Sequence, residues 1–354
     1  MLPSMQRRRL AIKAARHRSG RRPDGKRKGS GRKERSFVPL SERIVNAMKN
    51  EKRKPINKKK LTNHLTAYAF CAPWFIGFIC FTLFPIVFMF AVSLTNRKLN
   101  GISNFVGFAN YVNMVQSPTF WNSIKVTLFF TVVMMVVTTI WAVILAMLLN
   151  YKQKLNGIFQ FCYFLPSVIP TVALAYTFRT IFGKEAGLLN AIISQLTAKN
   201  VMVNWLYDKR TIYLAVFFIT LFTYNTGQMM LIFRSGLNDV PRELYEACDI
   251  DGASPFRKFF GITLPMISPI VLFNAVMGCI SALNGSFALL YPLTGESGDP
   301  NGMTQVLSLL IYKEAFSNMK VGYACALSVV LFLIACGFGI GIFAVSKKLV
   351  YYEN

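Results

Sequence analysis

Residues 234–265 read RSGLNDVPRELYEACDIDGASPFRKFFGITLP, a polar stretch set between two long apolar runs. Asp239 suits a helix start, and Pro241 is tolerated in a first turn, where a missing N–H costs no hydrogen bond. Pro241 to Ile250 then reads as a short helix with Leu244, Ala247 and Cys248 on one side. Asp251-Gly252 breaks it. Ser254-Pro255 restarts a second short helix through Phe256 to Phe260, which leads into the next apolar run at Pro265. At roughly 1.5 Å per residue the first helix is about 15 Å long. Two short helices folded at a glycine make a rigid protrusion of a size that fits a cleft in another protein.

The flanking runs set the fold class. The chain has 354 residues, 53% hydrophobic and only 16% charged, with a positive mean hydropathy. A soluble protein of this length would carry about a quarter of its residues as charges. A bilayer core of about 30 Å needs roughly 20 apolar residues in a helix. Six stretches qualify: 67–94, 126–149, 158–182, 211–233, 265–291 and 321–345. In lipid such segments must be helical to satisfy their own backbone. The expectation is an all-α, polytopic membrane protein with six spans and a polar inner loop at 234–264. The first span is too long for a signal-peptide core and has no A-x-A-like site after it, so it reads as uncleaved.

Charge supplies the orientation. Residues 1–60 hold 22 Lys or Arg and 4 acids, a net of +18, whereas the other 294 residues carry 18 against 11. With the N-terminus inside, 30 basic residues fall on the cytoplasmic side and nine outside. Without residues 1–60 the tally is eight against nine, so the leader decides that both termini are cytoplasmic. This leader is too charged to bury a core and reads as disordered. It suits a solvated anchor or contact with anionic lipid. Nucleic-acid binding is not expected, because no aromatic residues are interleaved with the cations. Met48 followed by a basic stretch and the first span would already make a complete N-terminus, so residues 1–47 are expected to be dispensable.

Chemistry-bearing constellations are few. The seven cysteines, Cys71, Cys80, Cys162, Cys248, Cys279, Cys325 and Cys336, show no CxxC and no His/Cys metal spacing, and the only histidines are His17 and His64. No glycine-rich phosphate loop ends in Lys-Ser or Lys-Thr. No catalytic residue, metal or cofactor is therefore expected. Pro166 and Pro170 in the third span, and Pro73 and Pro85 in the first, predict curved or kinked helices. Arg179, the one charge well within an apolar run, is expected to snorkel to the outer interface.

The inner stretch carries a resemblance. Glu246-Ala247-Cys248, three residues, Gly252, nine residues, then Ile262-Thr263-Leu264-Pro265 resembles the EAA loop of ABC importer permeases, with Cys248 where the family usually has alanine. Thr66-Ala67-Tyr68 through Pro73, Phe84-Pro85, Phe105 to Tyr111, Phe120-Trp121-Asn122-Ser123 and Leu165-Pro166-Ser167 look like the carbohydrate-uptake branch, so the resemblance covers about residues 61–350. It implies a type I importer permease in a bacterial cytoplasmic membrane. The implied partners are a second, different permease subunit, a pair of ATP-binding subunits and an extracytoplasmic solute-binding protein. It further implies that Glu246 makes a charged contact with the ATPase, that Ala247 and Cys248 allow close packing, and that Asp251-Gly252 forms the turn.

Amides on a span are costly in lipid but cheap in a hydrated pore. Tyr224, Asn225 and Gln228 in the fourth span, and Asn274, Gly278, Ser281 and Asn284 in the fifth, are candidates for a substrate pathway. Hydrogen bonding between helices would use the same residues. Amides, a hydroxyl and an aromatic face suit a sugar, and with no fixed cation among them an anionic cargo is disfavoured. Two other classes compete: a membrane-embedded enzyme or scaffold, and a self-contained channel or secondary carrier. Similar chains also handle glycerol phosphates.

Overall fold

The computed structural model describes residues 58–101, 103–150, 156–222 and 224–349, with side chains described except at 58–65, 67, 224, 225, 285 and 347–349. Residues 1–57 of the leader lie outside the described residues, as do the side chains of Tyr224 and Asn225. The chain divides into two units, residues 1–73 and 74–354. In the first, the described residues are helical from Lys58, and Tyr68 and Phe70 are exposed.

The fold is all-α; among the described residues the only β pairing is the isolated bridge Thr95–Phe105. The helices run α1 (Lys58–Phe78), α2 (Phe84–Ser93), α3 (Ala109–Gln116), α4 (Pro118–Asn150), α5 (Asn156–Phe164), α6 (Thr171–Ile181), α7 (Leu188–Thr197) and α8 (Ile212–Leu221). They continue as α9 (Tyr224–Asp239), α10 (Arg242–Ile250), α11 (Pro255–Lys258), α12 (Leu264–Met266), α13 (Ser268–Thr294), α14 (Leu307–Tyr312) and α15 (Val321–Leu349). Three five-residue π turns interrupt them, at Ile79–Leu83, Phe259–Thr263 and Lys313–Ser317.

Three crossings are unbroken in direction: Tyr68–Ser93, Pro118–Asn150 and Val321–Ser346. Three more are bent pairs, which brings the total among the described residues to six when each pair is one crossing. The third crossing is the sharpest departure from the expected curve. Asn156–Val168 and Thr171–Ile181 meet at 103°, with a 3₁₀ turn Leu165–Val168 and extended backbone at Ile169 and Pro170. Pro166 and Pro170 each remove a donor, so the helix stops and restarts instead of bending smoothly. The fifth crossing bends by 71° between Met266 and Ser268.

In a bilayer, lipid tails are as apolar as leucine, so close backbone approach and polar contacts hold helices together. At Gly227 a Cβ would lie 3.0 Å from the Tyr163 carbonyl oxygen and 3.2 Å from Phe164 Cα, which seats α9 against the broken third crossing. Two of the connections between crossings are pinned by buried asparagines. Asn190 Nδ2 donates to the carbonyls of Gly183, Lys184 and Val203, and its Oδ1 accepts from Trp205 Nε1 at 2.8 Å. Asn110 Nδ2 donates to Ser93 and Thr95. Arg179 is exposed in the last turn of α6, and its Nη1 donates to the Pro292 carbonyl at 3.1 Å, near the C-terminal end of α13, where the helix dipole favours a cation.

Candidate coupling loop and intramembrane cavity

The polar stretch folds as an elbow. α9 continues through Asp239, so this residue ends one helix instead of capping the next, and Pro241 occupies the N-cap position of α10. A proline drives the residue before it out of the α region, which is why α9 stops here. At the far end of α10, Gly252 N–H donates to Asp249 and Ala253 N–H to Cys248, at 3.2 and 2.9 Å. Gly252 has φ +67°. This pair of bonds around a left-handed residue is a Schellman closure. Ser254 caps α11 by accepting from the Arg257 N–H.

Two side-chain contacts brace the elbow. Lys258 pairs with Asp249 across the turn, and the Tyr245 hydroxyl lies 2.9 Å from Thr263 Oγ1. Tyr245 also packs on the inner apolar cluster that includes Phe233, Leu237 and Ile267. The opposite surface is open. Glu246, Ala247, Asp251 and Gly252 are exposed and Cys248 is half-buried. Ile250 is 87% and Phe256 78% exposed, an apolar tip on an otherwise polar elbow.

The bend of the third crossing borders a cavity of about 490 Å³. Its polar lining comes from Thr138 on α4, Ser167 and Thr171 on either side of the bend, Thr220 on α8, and Ser281, Asn284 and Ser286 on α13. Gly278 completes one wall; a Cβ there would meet Met229 Cε at 3.0 Å. No charged side chain lines it. The volume falls within the range of small-molecule sites, about 300–1,000 Å³.

A protein-family model, binding-protein-dependent transport system inner membrane component, matches residues 138–346. The span covers α4 from Thr138 through the cavity and elbow to Ser346. This chain belongs to that family. Among curated relatives, the permease is 33% identical over 294 residues to the probable ABC transporter permease YesP of Bacillus subtilis, which covers 82% of this chain and 94% of that one. It is 32% identical to AraP of Bacillus subtilis, an arabinooligosaccharides transport system permease, over 75% of this chain and 84% of the relative. It is 31% identical to MalF of Thermococcus litoralis, a trehalose/maltose transport system permease, over 80% and 94%. Among solved structures, a bacterial ABC transporter involved in import of the acidic polysaccharide alginate superposes with TM-score 0.71 at 21% identity, over 83% of this chain and 99% of that one. That likeness shows the all-α fold.

Within the permease, the expected pathway residues divide. Gly278, Ser281 and Asn284 line the cavity. Asn274 is buried at 1% exposure, its Nδ2 donating to the Ile270 carbonyl at 3.1 Å, and it is absent from the lining. Gln228 is exposed on α9 and also outside the lining. The third-crossing contribution, Ser167 to Thr171, was not anticipated. Two prolines four residues apart in an apolar run were the available signal, because broken backbone inside a membrane is tolerated only where it meets protein or lines a cavity. Tyr245 was also missed. Its position one residue before Glu246 and its side-chain length are the only hints that it faces the bundle.

Proposed function

We propose that this permease is one of two different channel-forming subunits of an ATP-driven, binding-protein-dependent importer for an uncharged saccharide, such as a disaccharide or short oligosaccharide. The observation that carries the cargo class is the lining of the cavity. Hydroxyls and an amide can exchange hydrogen bonds with sugar hydroxyls, and no cation is present to hold a carboxylate or phosphate. This argues against glycerol phosphates. The elbow supports the coupling role: Glu246 is placed to meet a cationic groove on an ATP-binding subunit, Ala247 and Cys248 to permit close approach, and the Asp251-Gly252 turn to hold the two short helices at a fixed angle. Gly278, Ser281 and Asn284, joined by Thr138, Ser167, Thr171 and Thr220, would contact the passing sugar.

In this reading ATP closes two ATP-binding subunits, the docked elbows carry that motion into the crossings, and the cavity turns outward to take cargo from a solute-binding protein. Both termini then face the cytoplasm, and hydrolysis belongs to the partner. A self-contained channel or secondary carrier would have no use for an exposed, internally braced elbow with an apolar tip.

Reconstitution decides between these readings. The tagged permease is co-purified with its sister subunit, ATPase and binding protein, and the complex is placed in proteoliposomes. Uptake of radiolabelled maltose, lactose and arabinotriose is then measured. Uptake of at least one sugar should need both ATP and the binding protein. Uptake that persists without ATP would overturn the importer reading; ATP-dependent uptake of glycerol 3-phosphate alone would overturn the cargo class.

A further inference from the structure

Beyond the cavity, four aromatic rings stand in a row. α13 runs outward past Asn284, and seven residues on, about 10 Å farther along the same helix face, it carries Tyr291. Phe287 stacks on Tyr291 with ring centroids 5.4 Å apart. Both meet Tyr312 at 5.1 Å, and Tyr312 meets Phe316 at 5.0 Å. Tyr312 ends α14, and Phe316 lies in the π turn Lys313–Ser317. Exposure rises along the row: Phe287, Tyr291 and Tyr312 are half-buried, and Phe316 is 56% exposed.

Polar groups border the rings. Lys313 Nζ donates to Ser297 Oγ at 3.4 Å, and Ser317 Oγ donates to Glu296. These two charges are held by neutral hydroxyls, so each keeps free capacity for a further hydrogen bond. Tyrosine is common at membrane–water interfaces, where it forms belts around a protein. This row is different in kind: four rings are collected on α13, α14 and the π turn that follows it, and continue the face that lines the cavity.

We propose that Phe287, Tyr291, Tyr312 and Phe316 form a saccharide platform outside the cavity, on which the apolar face of an uncharged sugar ring rests while its hydroxyls reach Lys313, Glu296 and the two phenols. A sugar ring has an apolar face of C–H groups and a polar rim, and this arrangement offers a surface for each. The proposal rests on the importer reading and adds a second, outer station for the same cargo.

The test uses the full-length permease in its complex in lipid nanodiscs, with maltose, lactose and arabinotriose as probes. Saturation-transfer difference NMR reads contact between protein and sugar C–H groups. Tyr312→Leu and Phe316→Leu keep apolar bulk but remove the ring. Each should weaken the signal on the order of two- to tenfold, the range of a single lost aromatic contact, while Gly339→Ala, where nothing lies within 4 Å of an added Cβ, leaves it unchanged. Equal signals from wild type and both leucine variants, or no signal from any of the three sugars, would overturn the platform. So would variants that keep the sugar signal but lose affinity for the unloaded solute-binding protein, since the rings would then be a protein contact. ATP-dependent uptake by wild-type proteoliposomes is scored separately, so loss of the platform is distinguishable from loss of the importer reading.

Discussion

Glu246→Lys is expected to strip the ATP-binding subunit from the purified permease and abolish ATP-driven uptake, while membrane insertion and binding of the sister permease are unchanged. Glu246 is exposed on α10, and its side chain makes no ion pair among the described residues; the elbow's brace is Lys258 with Asp249. The substitution therefore leaves the fold of the loop alone. At an interface, placing like charges together costs several kcal/mol, and every 1.4 kcal/mol is about tenfold in affinity. A hundredfold loss is thus the smallest change expected. Affinity capture of the tagged permease, followed by quantification of ATPase and sister subunit, measures it directly. If the lysine variant still holds its ATPase and transports at the wild-type rate, the coupling assignment is wrong.

The second large effect is structural. Gly298→Val should lower the melting midpoint of the purified permease by roughly 5–10 °C, corresponding to about 3 kcal/mol or more. Gly298 is buried at φ +64°, and a Cβ there would sit 2.3 Å from the backbone nitrogen of Gln305 and 2.5 Å from its Cα. Backbone cannot yield as a flexible side chain can, and a β-branched residue is strained at that φ in any case. The clash also falls on a folded-in segment. Thr304 and Leu307 are fully buried, Thr304 Oγ1 donates to Thr294 Oγ1 at 2.8 Å, and the Leu307 N–H donates to Thr127 Oγ1 at 2.7 Å. Gly339→Ala serves as the control, because nothing lies within 4 Å of a Cβ at that position. Melting curves of Gly298→Val and wild type that coincide within error would refute the packing argument.

Run length and the spacing from Glu246 to Pro265 were enough to read the class of molecule. Both depend on local pattern: apolar length is set by bilayer thickness, and turn residues punctuate helices wherever they occur. What escaped is tertiary. Asp239 looks like a helix start because aspartate caps helices, but α9 runs six residues past 233, to Asp239, before Pro241 stops it. Asn274 and Ser281 lie on the same helix with similar chemistry, yet one is packed between helices and the other faces the cavity. Their difference lies in which neighbour approaches, and periodicity on one helix does not contain that. Arg179 is exposed, and its partner is a carbonyl at the end of α13, more than a hundred residues away in sequence, which no local pattern names. The proline pair at 166 and 170 carried more information than was drawn from it.

The π turn at Phe259–Thr263 gives the motif spacing a geometrical meaning. The nine residues between Gly252 and Ile262 are more than a count, because they include the first three residues of a turn that holds one residue beyond the α-helical register. Each residue in a helix advances the azimuth by about 100°. Deleting one residue within α11 (Pro255–Lys258), with the π turn kept, would shorten the helical path by one residue. It would also rotate the face bearing Glu246 by about 100° relative to α13. The interval thus works as an angular index, fixing the compass bearing at which the elbow leaves the membrane.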